Sequence, residues 1–366
     1  MSEEKKGAAS KKAAPKKTSA KKKSTVVKKA APAEARADFT PAAGQAEEII
    51  VEDLIIEESA TLEKPELTRQ DLLKAWWKAA RPPFYIATLI PLFLGYFAAR
   101  NDVGSPSALV MTGVLLVGFL LHLAANLAND LYDYLLGTDT QETIGGSRGL
   151  QDGSITVPQL RLALLACYGG TAFFTVLGVW ITGLWGLLFI ALFGALASYY
   201  YVAPPLKYGY RAMGELFVFL SMGLVMTGGS YYALAGSLES YVLALSIPVG
   251  LMVAGILYYQ SLPEIETDAA MGKKTLVGLL GPEKAVFLFK LCWPLVWLLL
   301  ITLWLADLIA WPVLVGIVLS IPLHKKACAK VDNAGGDWFS LDQYGKYVRM
   351  MYFLAGLFML IGVAFL

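Results

Sequence analysis

The chain has 366 residues, of which 56% are hydrophobic and 16% charged, with a formal net charge of +2. A charged fraction that far below the roughly 25% of soluble domains excludes an ordinary globular protein in water. Cys167, Cys292 and Cys328 share no ligand-like spacing, which excludes a disulfide framework and a zinc site.

Residues 1–65 are polar, and residues 5–35 read KKGAASKKAAPKKTSAKKKSTVVKKAAPAEA. This Lys/Ala/Pro run has no apolar period and cannot bury enough surface to offset its ordering entropy, so a disordered tail is expected. It has no continuous apolar core, so no secretory signal is expected in it. From Ala46 to Glu58 the sign turns acidic, as in a solvated linker. A lysine block beside a membrane domain is expected to meet anionic lipid or nothing, and no nucleic-acid partner is expected. Residues 66–83 then read as an interfacial amphipathic helix, with Trp76 and Trp77 at the headgroups and Lys74, Lys78 and Arg81 facing phosphates.

From 84 to 366 the chain is apolar runs broken by short polar loops, so the fold class is all-α integral membrane. Runs near 84–100, 107–136, 159–181, 183–202, 213–234, 241–262, 285–306, 309–323 and 346–366 predict about nine transmembrane helices. The eighth is short. Loops on one side carry Arg148, Arg161, Lys207, Arg211, Lys273, Lys274, Lys284, Lys325, Lys326, Lys330, Lys346 and Arg349, whereas those opposite carry only Arg100. That asymmetry predicts a cytoplasmic N-terminus and an outer C-terminus.

The polar residues cluster. The second run ends in NLANDLYDYLLGTD, which puts Asn126, Asp130 and Asp133 within about 60° on one helical face. Asp139 follows beyond Gly137. The sixth run ends in YYQSLPEIETD, with Gln260, Glu264 and Asp268 at a four-residue repeat. Carboxylates at membrane depth are costly and face a cavity or a partner. Oxygen donors from two helices suit Mg²⁺, which takes few carboxylates and completes its shell with water and phosphate. Arg148 in GGSRGLQDG and Lys273 and Lys274 in MGKKTL lie beside the clusters. Metal, cations and an apolar bundle together describe a site for a diphosphate with a greasy tail. A third loop on the same side, YYYVAPPLKYGYRAMGELFVF, adds Lys207, Arg211 and Glu215. His122 shares the face of Asn126 and Asp130, but a lone histidine on an apolar helix reads as a satisfied core group.

On these residues the chain resembles the UbiA superfamily of intramembrane prenyltransferases, from ARPPFYIATLIPLFLGY to the last run. Asn126, Asp130 and Asp133, with Asp139 behind, are similar to its first aspartate-rich motif, and Gln260, Glu264 and Asp268 to its second. The second departs from the family pattern: Gln260 stands for Asn and keeps the amide, and Glu264 stands for Asp and keeps the charge on a longer arm. The loop GTDTQETIGGSRGLQDGSIT and the segment YGYRAMGELFVF are most similar to members that prenylate a dihydroxynaphthoate in menaquinone synthesis. YVAPPLK is also similar to tetrapyrrole-prenylating members.

The resemblance implies Mg²⁺-dependent transfer of a polyprenyl group from its diphosphate to an aromatic acceptor, in a multi-pass protein of a bacterial-type inner membrane. It implies two Mg²⁺ ions, one per motif, on Asp130, Asp133, Asp139, Glu264 and Asp268. Asp130, Asp133, Glu264 and Asp268 are the expected catalytic groups. Asn126, Arg148, Lys207, Tyr201, Gln260 and Lys274 are the expected substrate contacts, with Arg148 serving either the diphosphate or an acceptor carboxylate. Tyr132, Tyr200 or Tyr201 offers a π-face to an allylic cation, or belongs to an interfacial belt. Prenyl transfer to another acceptor, of tetrapyrrole, hydroxybenzoate or homogentisate type, stays open at this point, as do two other classes: a cation-coupled transporter and an inactive lipid-binding homologue.

Overall fold

The computed structural model describes residues 67–139, 145–342 and 344–366. The expected tail and acidic linker at 1–65 lie outside the described residues, as does 140–144 of the loop after Asp139. The first helix, α1 (Arg69–Ala80), starts at a capping box in which the Thr68 hydroxyl accepts from the Asp71 N–H and the Asp71 carboxylate accepts from the Thr68 N–H. It stops at Arg81, left-handed at φ 51°, because a residue before proline is pushed out of the α region. Pro82 then opens a 3₁₀ turn (Pro82–Phe84), and α2 (Ile86–Val103) leaves at 48° to the first piece.

The remaining membrane helices are α3 (Ala108–Leu135), α4 (Val157–Thr182), α5 (Gly186–Tyr200), α6 (Gly214–Ala235) and α7 (Ser240–Gln260). Two short helices, α8 (Ile265–Ala270) and α9 (Leu276–Leu280), lead into α10 (Pro282–Leu305), α11 (Pro312–Ala334) and α12 (Lys346–Ala364). Every predicted apolar run falls on a helix, and among the described residues there is no strand, only one bridge between Arg211 and Lys274.

Length and apolarity alone do not confirm the expected nine spans. Seven helices are long and apolar enough to cross a bilayer, and eight if the bent α1–α2 pair counts as one span. With 15 residues, α5 reaches only ~22 Å against a hydrocarbon core of ~30 Å. The run expected to be short, 309–323, instead belongs to the 23-residue α11. Large apolar side chains on the outer faces, such as Trp180 and Phe189, are over 70% exposed in the isolated chain. In hydrocarbon that exposure carries no hydration cost, and the helices satisfy their own backbone. This is a multi-pass membrane protein.

Two packed cores divide the bundle. One gathers buried side chains of α2, α6, α7, α10, α11 and α12, including Trp293, Phe289 and Tyr352. The other joins Ala75 and Ala79 of α1 to Leu127 and Leu131 of α3 and Leu160 and Leu164 of α4. Between them lies a cavity of about 460 Å³ lined by α2 to α7.

Candidate active site

The acidic face of α3 ends beside the turn that breaks α1. The left-handed backbone at Arg81 swings its guanidinium to 2.6 Å from Asp130 Oδ1. The Ser147 N–H donates to the same oxygen at 3.3 Å. Asn129 and Tyr210 donate to the two oxygens of Asp133 at 3.0 and 2.5 Å. Beyond Gly137 the chain doubles back, with the Thr138 and Asp139 N–H groups both on the Asp133 carbonyl. This folds Asp139 under the motif. Gly146 (φ +69°) closes over it so tightly that a Cβ there would lie 2.3 Å from Asp139 Oδ2.

The second acidic cluster arrives from the end of α7. Gln260 closes the helix, and Glu264 and Asp268 follow around α8. A left-handed Gly272 (φ +72°) then returns the chain, and the Lys273 N–H donates to the Asp268 carbonyl at 2.8 Å. Lys273 Nζ lies 3.3 Å from Asp268, 3.8 Å from Asp133 and 5.3 Å over the Tyr210 ring. The third loop is stitched on by backbone bonds from Ala212 to Lys274 and from Lys274 to Tyr210. The faces of Asp133 and of Glu264 and Asp268 therefore share one chamber.

Asp130, Asp133, Asp139 and Asp268 are all buried. Burial, with Asp133 nearby, pushes the Asp139 carboxyl up to about 7. Asp268 is pushed up to about 7 by burial and by Glu264, with Lys273 opposing. Burial works against the charge on Lys273, but Asp133, Asp268 and Glu264 outweigh it and hold its ammonium well above its ordinary range. Three carboxylate oxygens, Oδ2 of Asp130, Asp139 and Asp268, are buried without a hydrogen-bond partner among the described residues. Asp268 lines the mouth of the cavity and Asp130 and Asp139 lie outside that lining; buried, unsatisfied hard oxygens with too few cations beside them fit a divalent metal. Among the described residues no three acidic, His or Cys side chains enclose a metal by themselves. An ion here would complete its shell from water or an anionic ligand.

The mouth itself, about 80 Å³, is lined by Asp133, Glu264, Asp268 and Lys273. Arg81, Phe84, Asn129, Tyr201, Leu257 and Gln260 line both the mouth and the larger cavity, so polar entrance and apolar interior are continuous. Asn126 lines the cavity, one turn in. Three expected contacts lie elsewhere. Arg148 pairs with Asp152 at 4.0 Å, and neither it nor Lys207 lines the chamber. Lys274 is exposed, and its neighbour Lys273 points in.

Sequence reading passed over Arg81, Asn129 and Tyr210 as site groups, and of the two lysines it placed beside the clusters it took Lys274 rather than Lys273 as the substrate contact. The Arg-Pro-Pro step announced a break after α1, and Asn129 is one turn before Asp133. For Tyr210 nothing local signalled the role.

A helical membrane bundle with carboxylates and buried cations converging on one end of an apolar cavity is the architecture of an intramembrane enzyme for amphiphilic anions. The chain belongs to the UbiA prenyltransferase family, whose profile matches residues 88–337. It is 35% identical over 223 residues to a 1,4-dihydroxy-2-naphthoate octaprenyltransferase of Haemophilus influenzae, covering 58% of this chain and 71% of that protein. It is 31% identical over 253 residues to the enzyme of that name from Bacillus subtilis, covering 67% and 78%. The fold matches a UbiA homologue from Aeropyrum pernix K1 (17% identity, TM-score 0.56, 75% of this chain and 96% of that one). It also matches a UbiA homologue from Archaeoglobus fulgidus bound to GPP and Mg²⁺ (17% identity, TM-score 0.53, 80% and 100%). The protein is thus a prenyltransferase.

Proposed function

We propose that the protein transfers a polyprenyl group from its diphosphate to 1,4-dihydroxy-2-naphthoate, with Mg²⁺, as a step in menaquinone synthesis. The observation that carries this reading is the continuity of an acid- and cation-lined mouth with an apolar cavity of about 460 Å³. The relatives named as naphthoate octaprenyltransferases support the acceptor. Asp130, Asp133 and Asp139 would hold one ion, and Glu264 and Asp268 a second. The metal, when bound, supplies charge neutralisation to the leaving diphosphate.

The chain's own groups do the rest. Arg81 and Lys273 draw the diphosphate into the mouth and oppose the charge that builds on it as the allylic C–O bond breaks. The bonding electrons leave with the diphosphate, and the allylic cation stays in a chamber that excludes water. Phe84 and Tyr201, at the junction of mouth and cavity, offer π-faces to that cation. A ring carbon of the acceptor attacks, and rearomatisation expels carbon dioxide from the carboxylated position. The basic loops, the mouth and the N-terminus are proposed to face the cytoplasm of a bacterial-type inner membrane.

Membranes containing the protein, given Mg²⁺, a polyprenyl diphosphate and dihydroxynaphthoate, should release pyrophosphate and carbon dioxide and accumulate a prenylated naphthoquinol by mass spectrometry. A well-folded preparation that prenylates no aromatic acceptor in a panel would remove the enzyme reading in favour of a lipid-binding homologue.

A further inference from the structure

Below the mouth, one polar group has no role in the scheme above. His122 lines the apolar cavity one turn of α3 deeper than Asn126. Its Nδ1 sits 2.5 Å from the hydroxyl of Thr88 on α2, and its ring packs edge-on against Tyr85 at 5.8 Å. Thr88 is fully buried, so this pair is held on both sides. Nε2 makes no hydrogen bond to a described residue, and it is not among the buried atoms walled off without a partner. As His122 is a lining residue, the cavity is the space on which Nε2 can open.

A ring nitrogen aimed into hydrocarbon is unfavourable unless something polar meets it. Of the two substrates, the polyprenyl tail has no hydrogen-bonding group. The aromatic acceptor carries hydroxyls. His122 precedes Asp130 by eight residues, or ~12 Å along the helix axis. That interval accommodates the reacting carbon and a fused ring system between the carboxylates and the imidazole.

We propose that His122 binds the acceptor, its Nε2 sharing a hydrogen bond with a ring hydroxyl, and that Thr88 is the residue positioning the imidazole. The inference rests on the functional reading above and extends it to how the acceptor is chosen. The Thr88 hydroxyl donates to or accepts from Nδ1, and so sets whether Nε2 accepts or donates toward the ring.

The test is steady-state kinetics in membranes, varying each substrate in turn. His122→Phe should raise the KM for dihydroxynaphthoate ~10-fold, the scale of one buried hydrogen bond, and leave the KM for the polyprenyl diphosphate within ~2-fold. His122→Gln, whose amide reaches near the Nε2 position, should recover part of the loss, and Thr88→Val should fall between. A mono-methyl ether of the acceptor should be a poorer substrate for the wild type and no poorer than the parent for His122→Phe. Equal shifts in both KM values, an unchanged acceptor KM, or retained discrimination against the ether would each overturn the assignment. Should His122→Phe fail to accumulate, His122→Gln and the wild-type response to the ether decide it. Wild-type turnover separates the two readings: a wild type that prenylates no aromatic ring removes the functional proposal. A wild type that does so, with acceptor recognition untouched by the variants, removes only the role of His122.

Discussion

At the mouth, each carboxylate is held by a different kind of partner, and the partners predict different losses. Asp130 is bound to Arg81 and the Ser147 N–H, and its other oxygen is unpaired among the described residues. Asp130→Ala should abolish product formation while the protein still accumulates in membranes, measured by turnover against immunoblot. The adjacent lysines separate cleanly. Lys273→Ala removes the charge between Asp133 and Asp268 and should lower kcat/KM for the diphosphate ~10- to 100-fold, whereas Lys274→Ala should stay within a few-fold. Comparable losses in both variants would contradict the inward placement of Lys273. The raised carboxyls of Asp139 and Asp268, at about 7, give a pH dependence with a fixed sign. Below pH 7 they gain protons that a divalent ion must displace. The Mg²⁺ concentration for half-maximal activity should therefore rise as pH falls from 8 to 6.

Among the elements, α6 is irregular where it borders the cavity. Its middle, Phe219–Val225, is a π-helical turn, and Ser221, Met222 and Val225 from that turn line the cavity. The irregular turn packs on α7 through glycine. A Cβ on Gly223 would come within 2.6 Å of the Gly250 Cα, so the two backbones touch with no side chain between them. Gly223→Leu should force α6 from α7 and destabilise the bundle by about 1–3 kcal/mol, the usual range for overpacking. The measurement is the midpoint of thermal inactivation in detergent. An unaltered midpoint would mean the contact tolerates a side chain. The α1–α2 break belongs to the same scale. Arg81 reaches Asp130 because the Pro-Pro step ends one helix and bends the next.

For the molecule as a whole, the cavity between the two cores sets what the enzyme can hold. On α3 its lining runs from Asn129 back to Leu109, which is ~30 Å of helix. Gly113 is on that lining near the far end, with open space where its Cβ would be. Gly113→Trp should shorten the cavity without touching the mouth. The expected outcome is a large fall in kcat/KM for long polyprenyl diphosphates and little change for a ten-carbon donor, read by mass spectrometry of products from a donor series. If long and short donors fall together, the tail does not run along this face.

Much of this protein was legible in the order of its residues. Apolar run length is a local property that the bilayer reads directly, so each predicted run is a helix. The spacing of Asn126, Asp130 and Asp133 needs only 100° per residue to place them on one face. Depth and partnership were not legible. The count of spans depends on whether α5 and the bent α1–α2 pair reach across, which is a matter of length and angle together. Choosing Lys273 over Lys274 depends on a tertiary backbone pairing: Lys274 bonds to the Tyr210 loop, and the preceding side chain turns to the opposite side, toward Asp133 and Asp268. Arg81, Tyr210 and His122 likewise acquire their settings from chain segments 34 to 77 residues away. Local periodicity determined where helices form and which face is acidic; only packing between distant segments decided which charges meet, because that proximity is encoded in no short stretch of sequence.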